Sequence, residues 1–141
     1  MGKGGFTVAP LDKDLQTVGV GVLSFGDGYA GVVPIGQFGE LVEVRFLKVG
    51  ASGEWTVDLL AVQDLEVVKG LSFSGSGDTV VQYNGTGGAF HIVSEGNGGF
   101  VVTFDDGGIA IPPILEFGTY DGKQPVPSGA IVIKIDSDGK W

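Results

Sequence analysis

An all-β fold, an antiparallel two-sheet sandwich of jelly-roll type preceded by an N-terminal arm, is what the sequence predicts, on three observations. Several short segments alternate apolar and polar residues at the period of a strand. The 27 glycines suit turns, whereas inside helices each would cost about 0.5–1 kcal/mol relative to alanine. No stretch of ten or more positions repeats apolar residues at i, i+3, i+4 and i+7 behind an N-cap, so almost no helix is expected. About nine to eleven short strands with turn signals every eight to twelve residues fit a sandwich, with a barrel as the alternative.

Residues 1–17 have mixed polarity and no sustained period, and read as an arm or an edge strand before a single sandwich domain over 18–141. Val18 to Phe25 alternates valine with glycine, Asp27-Gly28 supplies a hairpin turn, and Tyr29 to Ile35 returns, with Pro34 placing that return at an edge. From Glu40 to Val49, Val42, Val44 and Phe46 share one face while Glu43 and Arg45 share the other. Trp55, Val57, Leu59 and Ala61 share a face of the next segment, so 40–62 reads as a hairpin closed by Gly50-Ala51-Ser52-Gly53 and placed at the centre of the core.

Beyond Gln63-Asp64, Leu65 to Phe73 is one bent strand or a short irregular piece broken by Gly70. Strands over Thr79–Tyr83, Ala89–Val93, Phe100–Phe104 and Ile109–Ile111 are separated by glycine-rich connectors and suggest a meander. Pro112-Pro113 interrupts it, Ile114 to Phe117 is brief, and 118–129 reads as a long loop. The last strand, Ala130 to Ile135, sets Ile131, Ile133 and Ile135 on one face.

The composition narrows the function. With 17 acidic against 8 basic residues and a net charge of −9, the chain would repel phosphate backbones, so no nucleic-acid partner is expected. There is no cysteine, which removes disulfides and thiol chemistry. No signal peptide is visible and no apolar run reaches the ~18 residues of a membrane span, so neither secretion nor a membrane partner is expected. The N-terminal Met-Gly-Lys-Gly-Gly-Phe puts Phe6 where a myristoylation site needs Ser or Thr. Charged residues make up 18% of the chain and hydrophobic ones 43%, too few charges to keep the roughly 7,000 Å² of a monomer this size wet. Some surface is therefore expected to meet a partner.

No residue carries a specific catalytic, cofactor or metal signature, and none is expected to serve those roles. His91 is the single histidine, set between Phe90 and Ile92, and no serine lies in a Gly-x-Ser-x-Gly elbow. Asp136-Ser137-Asp138-Gly139 starts like a calcium loop, but the chain ends two residues later without the distal bidentate ligand. Asp12 with Asp14, and Asp105 with Asp106, are acidic pairs that turn chemistry explains. The glycine clusters lack the spacing and the following helix of a phosphate cradle. Asn84-Gly85-Thr86 matches a glycosylation sequon and reads as a type I′ turn. Tyr29, Tyr83, Tyr120 and Trp141 lie near strand ends or loops, where rings stack on sugars or anchor protein contacts. The apolar residues of the arm, Phe6, Val8 and Leu11, together with Trp141, are the candidate interface residues, the arm adding a strand to a partner's edge.

The run from Val18 to Val62 resembles small β-rich virion proteins of tailed bacteriophages, the capsid decoration or cement proteins and minor head components. The similar features are the GDG turn at 26–28, the VPIGQFGELVEVRF segment at 33–46 and the GEWTVDLL segment at 53–60. The closing GAIVIKIDSDGKW at 129–141 is similar to the final strand of such proteins. About half the chain is covered. The resemblance implies a non-enzymatic structural protein, made in the host cytoplasm and displayed on the capsid surface, which forms a homo-oligomer, a trimer by preference, on the major capsid protein or another virion protein. The rival expectations are a carbohydrate-binding sandwich of lectin or tail-fibre type and a small glycosidase-like hydrolase using acidic pairs such as Asp105 and Asp106.

Overall fold

The computed structural model describes residues 4–19, 21–26, 28–35, 43–68, 72–106 and 111–141. The expected features at Asp27, over 36–42, at Gly70 and over 107–110 lie outside them. The fold is all-β: the described residues form nine strands and one short 3-10 turn. No helix among them is long and apolar enough to cross a membrane. The chain divides into two compact units, Met1–Leu59 and Leu60–Trp141.

The first unit is built on β1 (Gly4–Leu11), β2 (Val22–Gly26) and β3 (Phe46–Ala51), in the order β2-β1-β3. The N-terminal segment, expected as an arm or an edge, is therefore the middle strand, antiparallel to both neighbours. Proline is rare in a middle strand because it lacks the amide donor. Pro10 is tolerated because β2 pairs only as far as Val8↔Val22, so beyond it the missing donor has no ladder to break. There the Val18 N–H donates to the Pro10 carbonyl at 2.9 Å. Asp12 shapes the following turn by accepting the N–H groups of Asp14 and Gln16 at 2.8 and 2.9 Å. Alternation then splits the sheet's faces. Phe6, Val8, Pro10, Val22, Leu47 and Val49 share one, on which Val8, Pro10 and Val22 are buried and Tyr29 stacks on Phe6 with ring centroids 6.1 Å apart.

The central hairpin expected over 40–62 does not form in the described residues. β3 pairs with β1, Phe46 opposite Leu11, and residues 54–61 carry no strand. Leu60 adds an apolar residue to the otherwise polar face of Glu54, Thr56 and Asp58, which blurs the contrast between the two faces. Trp55, Val57 and Leu59, expected in the core, are exposed, Leu59 at 76%. Likewise 28–34 carries no strand, and the partner of β2 is β1.

The second unit has two sheets. One is β4 (Thr79–Gly85), β9 (Gly129–Ser137), β6 (Gly99–Asp105) and β7 (Ile111–Phe117), in the order β4-β9-β6-β7; the other is β5 (Gly88–Ser94) with β8 (Tyr120–Val126). All pairs are antiparallel. The expected meander is corrected: only β6 and β7 are chain neighbours that pair. The other pairs nest, β4 with β9 around β5 with β8 around β6 with β7. The 118–129 loop is likewise corrected, since β8 occupies most of it.

Pro112-Pro113 does not interrupt β7. It sits at the sheet edge, and the register slips by one residue between Val102↔Ile114 and Phe104↔Ile111, a β-bulge that accommodates the lost donors. Ile131, Ile133 and Ile135 of β9 point inward as expected, onto Val81, Phe100, Val102, Ile114 and Val126. Phe90 of β5 meets Phe73, Tyr83 and Phe104 edge-on, at 6.1, 5.1 and 6.2 Å between centroids. Each buried aliphatic or aromatic side chain stabilises by about 1.5–3 kcal/mol. Facing rings in such geometry add about 0.5–1.5 kcal/mol.

Candidate functional site

The surface that stands out in the first unit is the second face of its sheet. Alternation puts Gly5, Thr7, Ala9 and Leu11 of β1 there, with Leu23 and Phe25 of β2 and Phe46, Lys48 and Gly50 of β3. Leu23 and Phe25 are 69% and 78% exposed, and Phe46 is half exposed. The large side chains stand at two diagonal corners, Leu23 and Phe25 at one and Phe46 at the other, because Leu23 pairs opposite Thr7, Phe25 opposite Gly5, and Phe46 opposite Leu11. Between them runs a shallow trough over Gly5, Thr7, Ala9 and Gly50. The Thr7 hydroxyl is turned to the Gly50 carbonyl at 3.4 Å, so covering the trough strands no donor. Lys48 is the one charged residue in the three strands.

In the second unit, Leu115 and Phe117 stand exposed on the edge strand β7, Phe117 at 84%. Phe46, expected on the core-facing wall of the 40–62 hairpin, is half exposed instead, and Leu23, Phe25, Leu115 and Phe117 are not among the residues the sequence nominates.

The residues proposed from the sequence are scattered. Phe6 and Leu11 are half-buried in β1, and Val8, on the same strand, is buried. Trp141 lies in the second unit with its indole edge on Phe73, 5.6 Å between centroids, and its Nε1 donating to the Gly77 carbonyl at 3.0 Å. Of the rings proposed for sugar stacking, Tyr29 lies against Phe6, Tyr83 against Phe90, Tyr120 against Phe100 and Trp141 against Phe73. A half-exposed indole remains at Trp55, beside Glu54 in an open depression that Gly53 and Thr56 also line.

The carboxylates do not converge. Among the described residues no group of three or more His, Asp or Glu could hold a metal ion. Asp136 pairs with Lys134 at 3.0 Å, and Asp138 lies over Gly96 and Gly98, where a Cβ on either glycine would collide with its carboxylate. Ser137 shapes the closing turn through its hydroxyl, which takes the Gly139 N–H at 3.2 Å. Burial pushes the Asp136 carboxyl above the ordinary aspartate value of 3.8, against the hydrogen bond and charge of Lys134, and Asp78 adds to the rise. His91 faces outward on β5, where its Nε2 meets Asp121 Oδ1 of β8 at 2.6 Å. Asp105 ends β6 and Asp106 follows it in a bend.

Compared with known proteins, the chain matches no family model, no curated protein and no solved structure. The reading of the site therefore rests on its own chemistry: the exposed Leu23, Phe25 and Phe46 on strands that hold one charge.

Proposed function

We propose that this chain is a non-enzymatic structural protein of a virion, a capsid decoration or cement subunit that assembles symmetrically on a tailed-phage head against the major capsid protein or another virion protein. The observation that carries the structural role is the exposed apolar set Leu23, Phe25 and Phe46 on a sheet whose strands hold one charge. A net charge of −9 holds copies apart in solution, and a face carrying Lys48 as its one charge is where close contact costs least. The phage setting comes from the likeness of 18–62 and 129–141 to small head proteins. The nested pairing of β4–β9, β5–β8 and β6–β7 favours the jelly-roll form of the sandwich, since nesting is what rolling up one long hairpin produces. A trimer suits the local three-fold positions of a shell.

The test is mass spectrometry of density-purified particles from lysates of the producing host. Detection of this chain at a copy number comparable to the shell protein supports the reading, and its absence from intact particles removes it. Trp55 beside Glu54 favours a second reading, sugar binding at that depression. Quenching or a shift of tryptophan fluorescence on sugar addition, lost in Trp55→Ala, would establish it.

A further inference from the structure

We infer that Asn97 is a site of spontaneous covalent ageing, at which attack by the Gly98 amide turns the asparagine into aspartate and isoaspartate and loosens the closure of the C-terminus. The chain holds two asparagines, Asn84 and Asn97, and a glycine follows each. Glycine is the neighbour that least obstructs such an attack, because no Cβ stands beside the nucleophilic nitrogen. The sequence ranks the two sites equally, and the structure separates them.

Asn84 and Gly85 do not form the expected turn: they end β4, paired with Ala130 and Gly129 of β9. A strand holds ψ near about +135°, which swings the following amide away from the side-chain carbonyl carbon, so the five-membered ring cannot close. Tyr83 also lays its ring over Gly85, in the space a Cβ would take. Asn97, in contrast, is exposed in the bend between β5 and β6, outside any strand. Among the described residues no backbone carbonyl takes the Gly98 N–H, whereas the Gly98 carbonyl accepts from the Gly118 N–H at 2.8 Å. The attacking nitrogen therefore has no backbone bond to break as it turns toward Asn97.

The reaction balances with water as the one co-reactant. The Gly98 nitrogen gives its proton to hydroxide and bonds to Asn97 Cγ; the Cγ–N bond of the side-chain amide breaks, and ammonia leaves with a proton taken from water. Water then opens the succinimide at either carbonyl. One opening leaves an ordinary backbone with an aspartate side chain. The other routes the backbone through Cβ and Cγ and so adds a methylene to it.

The site lies against the end of the chain. The Glu95 N–H donates to the Lys140 carbonyl at 2.9 Å, a Cβ on Gly139 would stand 2.6 Å from the Gly96 Cα, and the Asp138 carboxylate covers Gly96 and Gly98. Conversion adds a carboxylate to this loop beside those of Glu95 and Asp138, and like charges repel. Isoaspartate also lengthens the loop where Gly96 and Gly139 pack without clearance. Both changes oppose the Glu95–Lys140 bond.

Incubation of the full chain in mildly alkaline buffer, followed by peptide mass spectrometry, tests the inference. The expected result is the mass gain of hydroxyl for amine at Asn97, at least ~10-fold faster than at Asn84, which reacts only when β4 opens locally. A protein isoaspartyl methyltransferase should then label the Asn97 peptide. In concentrated urea the two rates should converge, which ties their difference to the fold. Asn97→Gln should abolish the fast gain, and Asn84→Gln should leave it unchanged. The aged chain, separated by anion exchange, should unfold at a lower urea midpoint than the fresh chain, while Asn97→Gln held in the same buffer keeps its midpoint. Asn84 converting as fast as Asn97 in the folded chain, or Asn97 inert over a period in which the urea-unfolded chain converts, overturns the inference. An aged chain with an unshifted midpoint overturns the coupling to the C-terminus.

Discussion

Trp141 and Gly75 exchange backbone hydrogen bonds in both directions, at 3.0 and 3.1 Å, and so tie the C-terminal residue to the loop before β4. The indole adds its own bond to Gly77 and its contact with Phe73, and it fills the space a Cβ on Gly75 would need. Trp141→Ala should therefore cost the second unit about 2–3 kcal/mol, less than a fully buried tryptophan because the side chain is only partly buried. Gly75→Ala should cost about 1–3 kcal/mol by displacing the indole. Urea unfolding read by circular dichroism checks both, and a midpoint unchanged in Trp141→Ala would show the tie to be idle.

Phe100 and Ile133 are each 1% exposed at the middle of the second unit's core. Ile133→Val should cost about 0.5–1.5 kcal/mol and Phe100→Ala about 3–5 kcal/mol, the latter through lost transfer energy plus the cavity left behind.

Asp136 gives a signed pH dependence. Burial raises its folded value above the unfolded one, so the native state holds the proton more tightly than the unfolded chain does. Its contribution to stability is then full below about pH 3.8 and is lost as pH rises through the folded value. Asp136→Asn cannot ionise, and its side-chain oxygen can still accept from Lys134. Relative to wild type, the Asn variant should gain stability as pH rises from about 3.8 through the folded value, and the difference should level off above it. Denaturation midpoints at a series of pH values would refute this by giving parallel curves.

The His91–Asp121 pair predicts almost nothing, and that is testable. Its side chains are 57% and 74% exposed, and an ion pair so placed contributes little after solvent screening and the cost of ordering both side chains. Asp121→Asn should change stability by less than about 0.5 kcal/mol. A larger loss, seen in the same denaturation assay, would mean that the ribbon of β5 and β8 depends on the pair.

Local signals were legible and pairing was not. The alternation in Ala130 to Ile135 located β9 and its buried face, and the glycine connectors located β4, β5 and β6 to within two residues. In sequence, 118–129 reads as a loop because it carries Pro125 and Pro127. β8 forms within it because β5 supplies seven paired positions across a separation the sequence does not display. The hairpin read at 40–62 failed for the same reason: β3 found a partner in β1, about 40 residues upstream, over the adjacent segment. At the candidate site, Val8 reads in sequence as an interface residue of an arm because a terminal strand looks like an edge; β1 is instead the middle strand, and Val8 is buried on the face it shares with Val22 and Val49. The exposed Leu23 and Phe25 look in sequence like any strand pair, since which face a small sheet leaves open depends on what covers the other.

The prolines of β7 bear on strand addition at one rim of the four-stranded sheet. Pro112 and Pro113 lie in the bulge, so two successive residues of this edge strand have no amide hydrogen to offer. An incoming strand laid along β7 would meet a break in the row of donors and a bend in its template. That rim is thereby biased against being extended by a further strand.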